Sequence, residues 1–117
     1  MVIDVEQLTE VKEILGDKAK NLIEQYLLDT KILLSEIDVA RATGQDDFIS
    51  EIVHTMKSSS FQVGAHGVME QATIIENFIH THKGQLSAMH HQSRLDHLIG
   101  ILRQYHGSYQ DEIYEHL

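Results

Sequence analysis

Residues 52–65, IVHTMKSSSFQVGA, carry one histidine inside a run of helix-forming residues that stops at a glycine. One row of residues recurs there at helical spacing and is expected to face inward: Ile49, Ile52, Val53, Met56, Ser60 and Val63. At about 100° per residue, His54 lies about 140–150° from the middle of this row. We therefore expect His54 to face solvent. Lys57 and Ser58 should lie beside it, because residues three and four apart are neighbours on a helix.

The same spacing of apolar residues continues through the rest of the chain, and no proline interrupts it. The predicted helices span residues 4–15, 17–44, 46–64, 65–83 and 87 onward, with glycines near most of the breaks. No segment alternates with period two for long enough to predict a strand. The sequence thus predicts an all-α protein, an antiparallel up-down four-helix bundle with a short extra N-terminal helix. We expect residues 1–117 to form a single domain.

Side-chain chemistry also predicts how these helices begin and which faces they bury. The predicted N-caps are Asp17 for the second helix, Asp46 or Asp47 for the third and Ser87 for the last. The first, short helix is expected to bury a single apolar face, formed by Leu8, Val11, Ile14 and Leu15.

The composition argues against several classes of function. The chain has 18 Asp and Glu against 9 Lys and Arg, a net charge of −9, which is unfavourable for binding nucleic acid or an anionic membrane. Cysteine is absent, so disulfides and thiolate metal sites are excluded. No apolar run reaches a membrane-spanning length, and the N-terminus lacks the layout of a signal peptide. We expect a cytoplasmic protein that acts on a protein partner or a small ligand.

The surroundings of His54 are suited to covalent chemistry. A neutral imidazole nitrogen is nucleophilic near neutral pH and can accept a phosphoryl group and pass it on. The ammonium of Lys57 could offset the charge of a phosphate, and the small side chains of Ser58 and Ser59 would let a partner approach closely. By itself, a single exposed histidine is more often an ordinary surface residue, so this cluster does not name a reaction.

The segment HTMKSSSFQVGA resembles the signature of histidine-containing phosphotransfer (Hpt) domains, which runs His-x-hydrophobic-Lys-Gly-Ser-small-x-x-hydrophobic-Gly-Ala. The matching residues are His54, Met56, Lys57, Ser59, Ser60, Val63, Gly64 and Ala65. The resemblance implies a phosphorelay protein that takes a phosphoryl group from a receiver-domain aspartate and passes it to another. It implies His54 as the phosphorylated residue and Lys57 as the residue that stabilises the phosphoryl group. The implied partners are receiver domains and a histidine kinase or hybrid kinase. No cofactor, no nucleotide site and no kinase activity of its own are implied.

Two residues depart from that signature. Ser58 stands where the family usually has glycine, so access to His54 should survive but be tighter. Phe61 stands where a small residue is commoner, on the same face of the helix as His54. It is either an exposed docking contact or a side chain that packs back against a neighbouring helix.

Two other readings of the sequence remain open. Nine histidines suggest a metal-binding bundle, but His80 and His82 are two apart and His90 and His91 are adjacent, which is not the spacing of helical metal pairs. Alternatively, the bundle is a non-catalytic interaction module. The chain is either a free-standing protein or a module of a hybrid kinase.

Overall fold

The computed structural model describes residues 1–117 and contains five α-helices and no strand. The helices are α1 (Val5–Leu15), α2 (Lys18–Ala42), α3 (Asp46–Gln62), α4 (His66–Thr81) and α5 (Met89–Ile113), and a short 3-10 turn follows at Tyr114–His116. The molecule measures 47 × 22 × 20 Å, so its length is set by the long helices. The all-α prediction, with a bundle of long helices and a short N-terminal helix, is confirmed. None of the five helices combines the length and the hydropathy that a membrane span requires.

Polar contacts between helices show that neighbouring helices are antiparallel. Between α3 and α4, Ser50 meets His80 and His54 meets Glu76, so residue numbers rise on one helix as they fall on the other. Between α2 and α5, Thr30 contacts the ring of His106 and Arg41 pairs with Asp96, so these two helices also run in opposite directions.

The core runs along the whole bundle and is formed by the faces that helical spacing predicted. On α3 the predicted inward row is buried, and Ser60 is a small polar member of it that shares a 2.7 Å hydrogen bond with the Tyr26 hydroxyl. Tyr109 donates from its hydroxyl to the carbonyl of Val63 at 2.8 Å. These bonds satisfy the polar groups that the two buried tyrosines bring into the core, where an unpaired group would be costly.

The prediction for the buried face of α1 is partly wrong. Leu8 and Val11 are buried, whereas Ile14 is 80% exposed and Leu15 is 37% exposed. Ile14 lies about 90° from the middle of the Leu8–Val11–Leu15 row, so it falls at the edge of the apolar face. Leu15 is the last residue of the helix, where the chain already turns at Gly16.

The predicted N-cap position is confirmed for α2, at Asp17, and the predictions for α3 and α5 are wrong by one residue or two. Asp17 precedes α2 but makes no capping bond, and the residues that precede α3 and α5 are Gln45 and Ala88. Gln45 N donates to the Ala40 carbonyl at 2.8 Å, a bond that closes the C-terminus of α2 and fixes where α3 can begin. Asp46 and Asp47 therefore lie inside the first turn of α3, where their charge favours the helix dipole.

The turn between α3 and α4 is held by the N-terminal segment. Gly64 has a φ of 70°, the left-handed region that favours glycine. Its carbonyl accepts a 2.8 Å hydrogen bond from Asp4 N, and Gly67 N donates to the carbonyl of Val2 at 3.2 Å. Asp4 also caps α1, since its carboxylate accepts from Gln7 N at 3.1 Å. These bonds tie the turn to the end of the bundle and set how α4 lies against α3.

Candidate functional site

His54 lies on the outside of the bundle, near the middle of α3. Its side chain is 64% exposed, on the face that the helical wheel predicted. The backbone beneath it is held firmly, because Val53 and Met56 on the inward side of the helix are fully buried. The ring is therefore open to a docking partner, while the helix that carries it is fixed by the core.

A carboxylate from the next helix holds this ring. Glu76 on α4 places its Oε2 2.7 Å from Nδ1 of His54, and its Oε1 accepts a 2.8 Å hydrogen bond from Nζ of Lys57. Only 14% of the Glu76 side chain is exposed. The hydrogen bond from Lys57 is the largest cause that lowers the pKa of Glu76, with the His54 contact adding to it against an opposing effect of burial. Glu76 is consequently ionised at neutral pH.

The ionised carboxylate determines which nitrogen of His54 carries the proton. An ionised carboxylate can only accept hydrogen bonds, so the nitrogen facing it, Nδ1, must be the donor. In the neutral ring the lone pair then lies on Nε2, which makes no hydrogen bond within the chain. The site thus presents a nucleophilic nitrogen to solvent, with a proton and a carboxylate on the far side of the ring.

The structure brings only some of the predicted site residues next to His54. Lys57 is close, since both residues contact Glu76, but its ammonium is engaged by that carboxylate rather than free. Ser58 is exposed on the face of His54. Ser59 does not point at the ring, because its hydroxyl donates back to the carbonyls of Thr55 and Met56 at 3.3 Å each.

Phe61 is 54% exposed, two turns from His54. It lines a groove together with Asp4, Gly64, His66 and Met69. The sequence left two positions open for Phe61, exposed or packed against a neighbouring helix, and the structure shows the exposed one.

Among the other histidines, the rings of His82, His90 and His91 lie against one another, with centroids 4.3 Å apart for His82 and His91 and 4.1 Å apart for His90 and His91. No group of three or more His, Asp or Glu side chains is placed to hold a metal ion. Nδ1 of His82 and Nδ1 of His91 face the carbonyls of Phe78 and Gln85, at 2.9 and 2.8 Å. His106 is buried, with its Nε2 2.7 Å from the hydroxyl of Thr30.

Comparison with protein families agrees with this geometry. The family model of the Hpt domain matches residues 21–105, which include α3, α4 and most of α2 and α5. The chain belongs to the Hpt domain family. Hpt domains carry phosphoryl groups on histidine in phosphorelays, as carriers rather than catalysts. Comparisons with curated proteins and with solved structures found no match.

Sequence reasoning missed Glu76, although the signature of an Hpt domain predicted its neighbours. The signal lies in the register of the α3–α4 hairpin: His54 is 10 residues before Gly64 and Glu76 is 12 residues after it. In an antiparallel pair, similar distances from the turn bring residues to the same level. Counting from Gly64 on α4 would have placed Glu76 among the few residues able to reach His54.

Proposed function

We propose that this Hpt domain accepts a phosphoryl group on Nε2 of His54 from the phosphorylated aspartate of one receiver domain and passes it to the aspartate of another. The proposal is carried by one observation: the His54 ring is exposed, with Nδ1 committed to Glu76 and Nε2 left free. In the accepting step, the lone pair of Nε2 forms the N–P bond. The P–O bond to the donor carboxylate breaks, and its electron pair returns to that carboxylate.

We propose that Lys57 stabilises the phosphoryl group and that the small side chain of Ser58 leaves room for a receiver domain beside the ring. Lys57 follows His54 by one helical turn, and its ammonium has three N–H donors, so it can bond a phosphoryl oxygen while it keeps its bond to Glu76. Ser58 limits the bulk beside the ring to one hydroxymethyl group. Ser59 has a supporting place in the helix rather than in the chemistry, given its bonds to the backbone.

Phe61 is proposed as a docking contact for the receiver domain, because an exposed aromatic side chain two turns from the reacting ring offers apolar area to a partner. A histidine kinase or hybrid kinase would stand upstream of the donor receiver. We propose that residues 1–117 act as a single domain. The cytoplasmic location expected from the sequence stays a prediction.

The test is transfer of labelled phosphate from a phosphorylated receiver domain. We expect the protein to take up acid-labile phosphate and His54→Gln to take up none. His97→Gln is a matched control, since it removes another exposed histidine, on α5. Far-UV circular dichroism would verify that both variants remain folded. Uptake by His54→Gln at the wild-type rate would show that the phosphoryl group goes elsewhere.

A further inference from the structure

Glu76 poses a problem for a phosphate carrier. It places a largely buried negative charge directly behind the ring that would receive a phosphoryl dianion. Like charges disfavour each other, so a carboxylate at this position should hinder phosphorylation unless it contributes something in return. Orientation of the ring alone does not require a charge, because a neutral amide oxygen could accept the same hydrogen bond.

The chemistry of a phosphorylated imidazole suggests what the charge contributes. When Nε2 forms a bond to phosphorus while Nδ1 keeps its proton, the ring becomes an imidazolium cation. If that cation loses its Nδ1 proton, the phosphoryl group can leave only by expelling an imidazolide anion, which is a poor leaving group. If the proton stays, the leaving group is a neutral imidazole. The fate of one proton therefore decides how readily the phosphoryl group can be passed on.

We propose that Glu76 is a positioning residue that keeps the proton on Nδ1 of His54 throughout the phosphorylated state, an inference that rests on the proposed function. In the delivery step, a carboxylate oxygen of the receiver forms a bond to phosphorus and the Nε2–P bond breaks. The electron pair of that bond returns to Nε2, and the ring leaves neutral with Nδ1–H still donated to Glu76. No proton enters or leaves the ring in either direction.

The contacts around Glu76 fit this role. An anionic acceptor 2.7 Å from Nδ1 stabilises a cationic ring, as the buried aspartate stabilises the histidine of a serine protease triad. The bond from Lys57 to the other carboxylate oxygen restricts rotation of the carboxylate away from the ring. Because the side chain is only 14% exposed, water competes little for these oxygens.

The experiment compares delivery of the phosphoryl group at different pH in wild type and Glu76→Gln. The amide keeps an acceptor oxygen and removes the charge. Each protein is loaded on His54 with phosphoramidate, a small-molecule donor to imidazole nitrogen, and then mixed with one receiver domain from about pH 6 to about pH 9. The ratio of variant to wild-type rates cancels the pH dependence of the receiver itself. We expect this ratio to fall by up to about tenfold per pH unit above neutrality, as for a reaction that needs one proton.

Glu51→Gln is the matched control, because it removes an equal charge one turn before His54, from an exposed side chain with no ion pair. The ratio of the Glu51→Gln rate to the wild-type rate should not change with pH. A constant slowing of Glu76→Gln at every pH would mean that Glu76 only orients the ring, and it would overturn the proposal.

Nitrogen-15 NMR of the loaded proteins gives a second readout that needs no receiver. The Nδ1–H signal of phosphorylated His54 should persist to higher pH in wild type than in Glu76→Gln. Loss of this proton at the same pH in both proteins would also overturn the proposal. Neither outcome depends on whether a receiver loads the protein, so failure of the proposed function would appear separately, as absent uptake in the receiver assay.

Discussion

Replacing Gly64 with alanine should destabilise the protein more than the same replacement at Gly44, although both glycines have nearly the same backbone conformation. Their φ angles are 70° and 71°. A Cβ at Gly64 would lie 2.8 Å from the carbonyl oxygen of Asp4 and 3.4 Å from Cβ of Leu8, whereas a Cβ at Gly44 would meet nothing within 4 Å. The comparison therefore separates backbone strain from the contact with the N-terminal segment.

The expected losses in free energy of unfolding follow from these two effects, backbone strain and the clash with the N-terminal segment. An alanine in the left-handed region costs about 1–2 kcal/mol, which is the whole effect expected for Gly44→Ala. At Gly64 the clash adds about 1–3 kcal/mol, as overpacking usually does, because a backbone oxygen cannot swing aside like a side chain. The clash also strains the hydrogen bond from Asp4 N to the Gly64 carbonyl.

Urea unfolding followed by circular dichroism measures both free energies of unfolding under the same conditions. A thermal melt would show the difference as a lower Tm for Gly64→Ala, by about 4 °C or more per kcal/mol. Equal free energies of unfolding for the two variants would refute the reasoning. That result would mean that residues 1–8 move away from the α3–α4 turn without cost.

Three further predictions concern Ser58, Ser60 and His106. Ser58→Gly should keep or raise the transfer rate because it removes bulk beside His54, and it should cost about 0.5 kcal/mol of stability in mid-helix. Complete loss of transfer would mean that the hydroxyl is needed chemically. Ser60→Ala should cost about 1–3 kcal/mol in urea unfolding, since it leaves the buried Tyr26 hydroxyl unpaired, and adding Tyr26→Phe should recover part of that cost. Burial lowers the pKa of His106 below its usual 6.5, so on acidification the unfolded chain binds this proton before the folded protein does. The stability that neutral His106 contributes is therefore present above about pH 6.5 and is lost as the pH falls below it. His106→Gln, which can still bond Thr30, should therefore show a smaller drop in Tm between about pH 7.5 and about pH 5.5, and an equal drop would contradict this assignment.

The fold was predictable from the sequence because one physical signal dominates it. Each long helix buries a row of apolar residues at helical spacing, and the absence of proline lets those rows run unbroken. The same signal placed His54 on the outside, since exposure on a helix depends only on the angle from the buried face.

Helical spacing could not predict the N-caps of the helices or the partner of His54. Asp17 and Ser87 have the chemistry of N-caps, but capping also requires a backbone conformation that short turns decide, and Asp17 is already helical in its dihedral angles. In the sequence Glu76 is one of 18 acidic residues, and nothing local distinguishes it. Its role depends on the register of two helices, which is set by a turn and by the N-terminal segment bound to it.

The His54 ring and the carboxylate behind it come from different helices, so the proposed site has two parts that can vary independently. The outward face of α3 meets whatever protein docks there, while position 76 on α4 lies beneath that surface and contacts the ring from behind. Under the proposed mechanism, substitutions at position 76 alter how long the phosphoryl group is stored without changing which partners recognise the domain. Storage time and partner choice become separately adjustable properties, open to selection or to engineering one at a time.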